Sequence, residues 1–307
     1  MKVIYRYYEP DKGLEEIQAK IYNNELRRSP KSSSSEVTAE GIKQRFITEK
    51  KDPKNVRYAL KEDGSPLAYI QVSVRGISPP RTWIGYPWAM DDCPVEVQEK
   101  LFSEMLEYSR DKYPDNEIVM GYISSNWQRQ VSFAESKGFV VDDALSIYFY
   151  TLGINSVVRK NNQEFKVKIA NLDDVDALVE LCKADPNLEN VFSDDEGWIS
   201  FFRDSVLPGG HTILILKDNQ LVCAGAPTKG TRKDAIQMRF FAIRPGFQKA
   251  WKTLMEEVVA HCKEEGWEES LLFAGFYKTE LELVGETLEE LGAKFIDKQV
   301  RWSLKNS

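Results

Sequence analysis

One short segment carries the residue types that bind a phosphate group. Residues 243–252 read Ile-Arg-Pro-Gly-Phe-Gln-Lys-Ala-Trp-Lys, and they lead from an apolar stretch into a helical pattern. Gly246 permits close approach of the backbone, and the start of a helix favours an anion through its free N–H groups and its dipole. The basic residues near this helix start are Arg244, Lys249 and Lys252. The segment predicts an anion site; the alternative is an ordinary basic helix start whose Trp251 packs in the core.

The composition argues against several other kinds of site. The formal net charge is −7, whereas a general nucleic-acid binder has a basic surface. The 4 cysteines are far apart and form no CxxC pair: Cys93, Cys182, Cys223 and Cys262. With His211 and His261 as the only histidines, we expect buried reduced thiols and no metal site. Since no apolar run approaches the roughly 18 residues of a spanning helix and the N-terminus lacks a signal-peptide core, we expect a cytoplasmic protein with neither DNA nor a membrane as partner.

The chain repeats its own pattern after 152–155 residues. Residues 56–74 contain two apolar-rich strands around a turn, and residues 212–226 repeat that arrangement. Four pairs of landmarks keep the offset: Asp63 and Asp218, Leu101 and Leu254, Gly138 and Gly292, and Leu152 and Leu304. Because unrelated amphipathic segments would not stay in step over half the chain, the repeat indicates a duplication.

Each copy is predicted to contain a strand, two helices, three strands, a helix, a strand, a helix and one or two final strands. Within this order, helix 247–266 has an inward face with i, i+3, i+4 spacing: Trp251, Leu254, Met255, Val258, Val259 and Cys262. The order indicates an α/β (α+β mixed) fold in which a mixed, mostly antiparallel sheet is flanked by helices. We predict two domains, 1–153 and 165–307, joined by a polar linker at 154–164.

The segment 116–139, NEIVMGYISSNWQRQVSFAESKGF, resembles the fifth strand, asparagine, short helix and Gly-Phe of the GNAT N-acetyltransferases. Together with the hairpins, it makes the chain resemble two GNAT domains in tandem. The resemblance implies acetyl-CoA or another acyl-CoA as co-substrate, bound where the fourth strand meets the third helix.

The two copies differ at this implied acyl-CoA site. In the first copy the matching stretch, 90–98, has no glycine and contains three carboxylates, which would repel a pyrophosphate, so we expect a structural loop there. In the second copy Ile-x-Pro-x-x-Gln resembles the family's lead-in, although no glycine follows Gln248. The cofactor-binding residues that the resemblance implies are Ile243, Arg244, Gly246, Gln248, Lys249, Ala250, Trp251 and Lys252.

Acyl transfer to an amine needs a group that takes the amine proton and a group that protonates the departing thiolate. The tyrosine that supplies the second proton in the family is replaced here by Ala134 in the first copy and Leu288 in the second. Tyr277, at the end of the second copy's fifth strand, is the candidate acid. Glu280 is the candidate base, and Glu282 is a further one; the alternative for these acidic residues is that they cap a helix.

The corresponding candidates in the first copy are assigned to substrate binding. Tyr122 lies at the matching end of the fifth strand, and Asn126 follows it. Asn126 either binds an amide group or caps the next helix, and the sequence favours neither.

Three functions follow from this pattern. The first is an N-acyltransferase that moves an acyl group from acyl-CoA to an amine of a small molecule or peptide, with the donor in the second copy. The second is a catalytically inactive GNAT-like binding or scaffold protein, motivated by the missing glycines and tyrosines. A transferase that uses an aminoacyl-tRNA donor is the third, and the acidic charge balance disfavours it. The acceptor, the acyl chain length and the oligomeric state stay open.

Overall fold

A computed structural model describes residues 2–28, 36–48, 51–75, 80–157, 164–186, 188, 192, 194–229, 235–267 and 271–304. The elements of the first half are β1 Val3–Tyr7, α1 Leu14–Leu26, α2 Ala39–Thr48, β2 Val56–Lys61, β3 Pro66–Arg75, β4 Arg81–Ile84, β5 Trp88–Ala89, α3 Val95–Lys112, β6 Glu117–Ser124, α4 Gln128–Ser136 and β7 Phe139–Gly153. Those of the second half are β8 Lys166–Ile169, α5 Val175–Ala184, α6 Asp195–Phe201, β9 Ile213–Lys217, β10 Gln220–Lys229, β11 Ala235–Ile243, α7 Gln248–Glu264, β12 Leu271–Tyr277, α8 Lys278–Glu290 and β13 Lys294–Leu304. Among the described residues, no helix is both long enough and apolar enough to cross a membrane.

The chain forms two compact units whose boundaries differ from the predicted ones. Unit 1 comprises residues 1–146 and 299–307, and unit 2 comprises residues 147–298. The prediction of 1–153 and 165–307 follows the order of the chain, whereas the last strand of each unit comes from the other repeat. Most of the predicted linker, 158–163, lies outside the described residues.

Both units build their sheets in the same order. In unit 1, β1, β2, β3 and β4 pair antiparallel in sequence, β4 pairs parallel with β6, and β6 pairs antiparallel with the end of β13. In unit 2, β8, β9, β10 and β11 repeat the antiparallel series, β11 pairs parallel with β12, and β12 pairs antiparallel with the end of β7. The repeated order matches the predicted duplication, and the mixed, mostly antiparallel sheet confirms the predicted fold class.

The long helix of each unit covers one face of its sheet. The inward residues predicted for α7 are all buried, and they pack against the strands of unit 2. In α3 the corresponding buried residues include Leu101, Phe102 and Met105. Burial of one such side chain stabilises the fold by about 1.5–3 kcal/mol, so these faces fix both helices on their sheets. The four cysteines are buried and not disulfide-bonded.

Two glycines mark equivalent helix ends in the repeats. Gly138 follows α4 with φ of 79°, and Gly292 follows α8 with φ of 75°. A residue with a side chain is strained in this left-handed region, so glycine ends both helices and turns the chain into the next strand.

Candidate functional site

The strands β11 and β12 of unit 2 run side by side for only part of their length. The pairs between the two strands are Ala235 with Leu271, Ile236 with Leu272, and Gln237 with Phe273. Both strands are described throughout, and β11 and β12 form no further pair with each other. The ladder between β10 and β11 also shifts at this level, because Ala226 pairs with Phe240 but Pro227 pairs with Met238. Pro227 has no N–H to donate, which favours this bulge in β11. The carboxyl ends of β11 and β12 are therefore free to separate.

An aromatic cluster packs beside the separated strand ends. The ring of Phe241 lies 5.1 Å from that of Trp251 and 5.2 Å from that of Phe276, and the last two are 5.5 Å apart. Trp251 and Phe276 are fully buried. The Nε1–H of Trp251 is buried without an acceptor among the described residues, which is uncommon for an indole in a protein core.

The turn before α7 leaves the start of that helix open. Gly246 adopts φ of 89°, where any other residue would be strained, and a Cβ built on it would meet nothing within 4 Å. The cap position is held by Phe247, which gives no side-chain hydrogen bond to the helix, and the first turn contains no acidic residue. The free N–H groups and the positive end of the helix dipole are therefore not neutralised by an acidic side chain from the first turn of α7.

The predicted cofactor residues of this segment divide by exposure. Gly246, Gln248 and Lys249 are exposed, and Arg244 and Lys252 are half-buried. The buried residues of the set are Ile243, Ala250 and Trp251, which belong to the core of unit 2. The exposed part of the predicted set is therefore smaller than the sequence indicated, because Ala250 and Trp251 lie on the inward side of α7 and Ile243 ends β11.

A cavity of about 560 Å³ lies between α7 and α8. Its charged lining residues are Glu164, Lys249, Lys252, Glu256, Glu286 and Glu290. Lys252 is ion-paired with Glu290, which raises the pKa of the lysine, and Glu164 is ion-paired with Lys217 at 2.7 Å. Four carboxylates against two lysines make the cavity itself unfavourable for a phosphate, so the positive field is confined to the helix start.

Two buried acids lie at the carboxyl ends of the separated strands. Glu280 is 4% exposed, and its Oε2 accepts the backbone N–H of Tyr277 at 2.5 Å. Burial raises the pKa of Glu280 to about 8; the Tyr277 hydrogen bond opposes the rise, and the charge of Asp185 adds to it. Asp185 is 1% exposed and accepts the N–H of Ile243, the last residue of β11, at 2.9 Å.

The geometry shows Glu280 in one of its two predicted roles, that of a cap, and the role of a base stays a prediction. It binds the N–H that precedes α8, as a cap does. Its raised pKa also suits a general base that works near neutral pH. Asp185 was not among the predicted site residues, since nothing in its local sequence shows that α5 ends beside β11.

In unit 1 the acidic residues of the equivalent loop, which precedes α3, are neutralised by basic residues from other parts of the unit. Asp91 is ion-paired with Arg28 and accepts a hydrogen bond from Asn24 at 3.1 Å. Asp92 is ion-paired with Lys61 at 2.6 Å, which lowers the pKa of Asp92. These contacts tie the start of α3 to α1 and β2, as expected for a structural loop.

Side chains also fill unit 1 beyond the end of β4. Gln98 Nε2 donates to the carbonyl of Pro87 at 2.7 Å, and its Oε1 accepts from Arg129 at 3.2 Å. Arg129 is ion-paired at 3.1 Å with Glu25, whose pKa is raised by burial and lowered by the arginine. The aromatic rings beside this network are Tyr86, Trp88 and Trp127. No local pattern in the sequence indicates this polar network, because its members come from three separate helices.

The two predicted substrate residues lie in or next to β6. Tyr122 is half-buried, and its ring is 5.7 Å from that of Trp83. Asn126 is exposed, and its backbone N–H donates to Ser124 Oγ at 3.2 Å. The helix α4 begins at Gln128 with Trp127 at its cap and no side-chain cap bond, so Asn126 is not the cap of α4.

Solved structures share this fold, although neither a family model nor a curated protein matches the sequence. A tandem GNAT protein from the clavulanic acid biosynthesis pathway, solved without acetyl-CoA, aligns over 100% of both chains with a TM-score of 0.74 and 10% identity. A GCN5-related N-acetyltransferase from Sphaerobacter thermophilus aligns over 99% of this chain and 96% of its own, with a TM-score of 0.72 and 13% identity. Saccharomyces cerevisiae N-myristoyltransferase with bound myristoyl-CoA aligns over 98% and 78%, with a TM-score of 0.59 and 11% identity. The chain has the fold of a tandem GNAT protein.

Proposed function

We propose that the protein is an N-acyltransferase whose unit 2 holds an acyl-CoA donor and passes the acyl group to an amine of a small molecule or peptide. The observation that carries the proposal is the parting of β11 and β12 after Gln237 and Phe273, directly before the uncapped start of α7. A separated pair of parallel strands exposes backbone groups to which an extended, amide-containing arm such as pantetheine could bond. The fold shared with acetyltransferases supports this assignment.

The pyrophosphate of the donor would lie at the start of α7. The free N–H groups of the first turn are donors, Gly246 leaves room for close approach, and Lys249 is an exposed cation beside them. Arg244 adds a second positive charge, whereas Lys252 is held by Glu290. The donor's phosphates would therefore stay at the helix start and outside the acidic cavity between α7 and α8.

The buried Trp251 supports a ligand with amide carbonyls. Its Nε1–H has no acceptor among the described residues, and leaving a buried donor unsatisfied costs about 1–3 kcal/mol. An acceptor brought between the strand ends would recover that cost. In this role Trp251 would act through its N–H, with its ring remaining in the core.

Glu280 would take the proton that the acceptor amine must lose. A free alkylammonium has a pKa of about 10.4, and a carboxylate is a better acceptor for such a proton when its own pKa is raised. The amine nitrogen then forms the amide bond as the carbon–sulfur bond of the thioester breaks. Tyr277, half-buried at the end of β12, would give its phenolic proton to the thiolate and recover one from solvent.

A binding protein without catalysis is the second candidate. It is favoured by unit 1, where internal ion pairs occupy the equivalent loop, and by the buried aromatic cluster of unit 2. Such a protein would keep the fold without binding an acyl-CoA.

Calorimetry with acetyl-CoA and with free CoA separates the two candidates. We expect the full chain to bind both, and we expect Lys249→Ala to weaken binding about 3–10-fold, since one charge-assisted contact is worth roughly 1 kcal/mol at an exposed site. Lys278→Ala is the matched control, because Lys278 is an exposed lysine at the start of α8 in the same unit. No binding of either compound at millimolar concentration would refute the acyltransferase, and equal losses in both variants would refute the assignment to α7.

A further inference from the structure

The fold brings the chain's only two histidines into contact. His211 lies just before β9 and His261 lies near the end of α7, yet His211 Nδ1 and His261 Nε2 are 2.9 Å apart. Both side chains are half-buried. The sequence predicted no metal site because these residues are 50 positions apart, and the fold removes that separation.

A carboxylate joins the pair. Glu265 caps the C-terminus of α7 four positions after His261, and its N–H donates to the His261 carbonyl at 3.0 Å, which keeps both residues on one side of the helix end. One ligand atom from each of the three residues lies within 4.8 Å of the other two. Glu265 is exposed, which leaves the cluster open to an ion from solvent.

The spacing of the two nitrogens fits a shared metal ion. Bonds of about 2.0–2.1 Å to one ion place the nitrogens about 2.9 Å apart at a right angle, and about 3.3 Å apart at the tetrahedral angle. The observed 2.9 Å matches the first arrangement and is about 0.4 Å short of the second. Two neutral imidazoles that share one hydrogen bond also give this distance, so the distance alone does not distinguish a metal site from a hydrogen bond. The nearby carboxylate and the charges around the pair distinguish the two.

The surroundings favour a cation. A cavity of about 210 Å³ reaches His261 and is lined by two further carboxylates, Glu257 and Glu264. The cation in that lining, Lys168, is ion-paired with Asp174 at 2.5 Å. The thiol next in sequence, Cys262, is buried in the core and does not belong to this cluster.

We propose that His211, His261 and Glu265 bind one divalent transition-metal ion of the type that takes imidazole and carboxylate ligands, such as Ni²⁺ or Zn²⁺, with water completing its coordination. The bound ion would join the end of α7 to the loop before β9. Its role is structural, and it is independent of acyl transfer.

The test uses the full chain, without a histidine tag, after treatment with a chelator. Calorimetry with NiCl₂ and with ZnCl₂ is expected to show one ion bound per chain. At an ion concentration 100 times the Kd, the melting temperature of unit 2 should rise by about 5–10 °C and fall back when chelator is added.

Three variants define the ligands. His211→Ala and His261→Ala should each weaken binding at least about 100-fold, since even groups that only support a ligand are worth about 10–100-fold. Glu265→Gln, at an exposed position that leaves the core intact, should weaken binding about 10-fold or more. Glu264→Gln, which removes a neighbouring charge but no ligand, is the matched control and should weaken binding clearly less than Glu265→Gln does. Absence of binding in the parent chain, or equal affinity in parent and Glu265→Gln, would overturn the proposal.

Discussion

Replacement of Glu280 by glutamine should make the protein more stable, by an amount that depends on pH. The carboxyl group is almost completely buried, and its acceptor oxygen receives the Tyr277 N–H. Glutamine has the same shape and also carries an acceptor oxygen, but it has no charge to bury. The variant therefore isolates the cost of placing an ionised group in this position.

The sign and size follow from the pKa of Glu280. Its ordinary value is 4.5, and burial raises it to about 8, so the folded protein holds this proton more tightly than the unfolded chain does. Below pH 4.5 the group is protonated in both states. Between the two values unfolding releases a proton, and the free energy of unfolding falls by about 1.4 kcal/mol per pH unit. Above pH 8 the loss is complete, at about 5 kcal/mol.

Urea denaturation of the parent chain and of Glu280→Gln, followed from pH 4 to pH 9, measures this difference. We expect the two chains to be equally stable near pH 4.5, and we expect the variant to gain steadily up to about pH 8. Glu282→Gln on the same helix turn is the control, since Glu282 is exposed. A stability difference that does not change with pH, or the same change in the control, would refute the assignment of a buried carboxyl group with a raised pKa to Glu280.

Two further predictions concern Asp185, which neighbours Glu280, and the final strand that unit 1 takes from the second repeat. Asp185→Asn keeps an acceptor for the Ile243 N–H but removes a charge that raises the pKa of Glu280, so the pH range of the stability loss should move to lower pH in the same denaturation series. A chain that ends at Lys298 lacks the strand segment that carries the buried Val300 and Trp302 of unit 1. Hydrogen exchange should then show lost protection in β6 and α3, while the protection of β12 is retained. A loss of protection confined to unit 2 would contradict the assignment of this strand segment to unit 1.

Much of the fold could be predicted because the repeats carry the same local signals. The apolar spacing of α7, the hairpin turns and the glycines after α4 and α8 depend on neighbouring residues, and the structure confirms them. Which sheet a final strand joins does not depend on neighbouring residues in this way. β7 and β13 hold equivalent places at the ends of the two repeats and could each complete either sheet, so the sequence does not choose between them. The unit boundaries therefore fell outside the range of local reasoning.

The candidate site was predictable to the same extent. The basic start of α7 is a continuous segment, and Gln248 and Lys249 are exposed there; its role as an anion site stays a prediction. The contacts that decide the electrostatics join distant positions, as with Asp185 beside β11 and Arg28 beside Asp91. Trp251 was one of the implied cofactor residues, but the structure places its ring in the core, because part of a helix start faces inward.

The two units differ most at the start of their long helices. In unit 1 the acidic loop before α3 is neutralised by Arg28 and Lys61, and these ion pairs use its charges to hold the fold. In unit 2 the first turn of α7 has neither an acidic residue nor a side-chain cap, so its N–H groups and its positive field stay available. A helix end left without partners costs stability unless a ligand supplies them. The start of α3 also lacks a side-chain cap, but it carries Glu96 in its first turn and follows an acidic loop, so of these two helix starts only that of α7 suits an anion, which is why we place the acyl-CoA there.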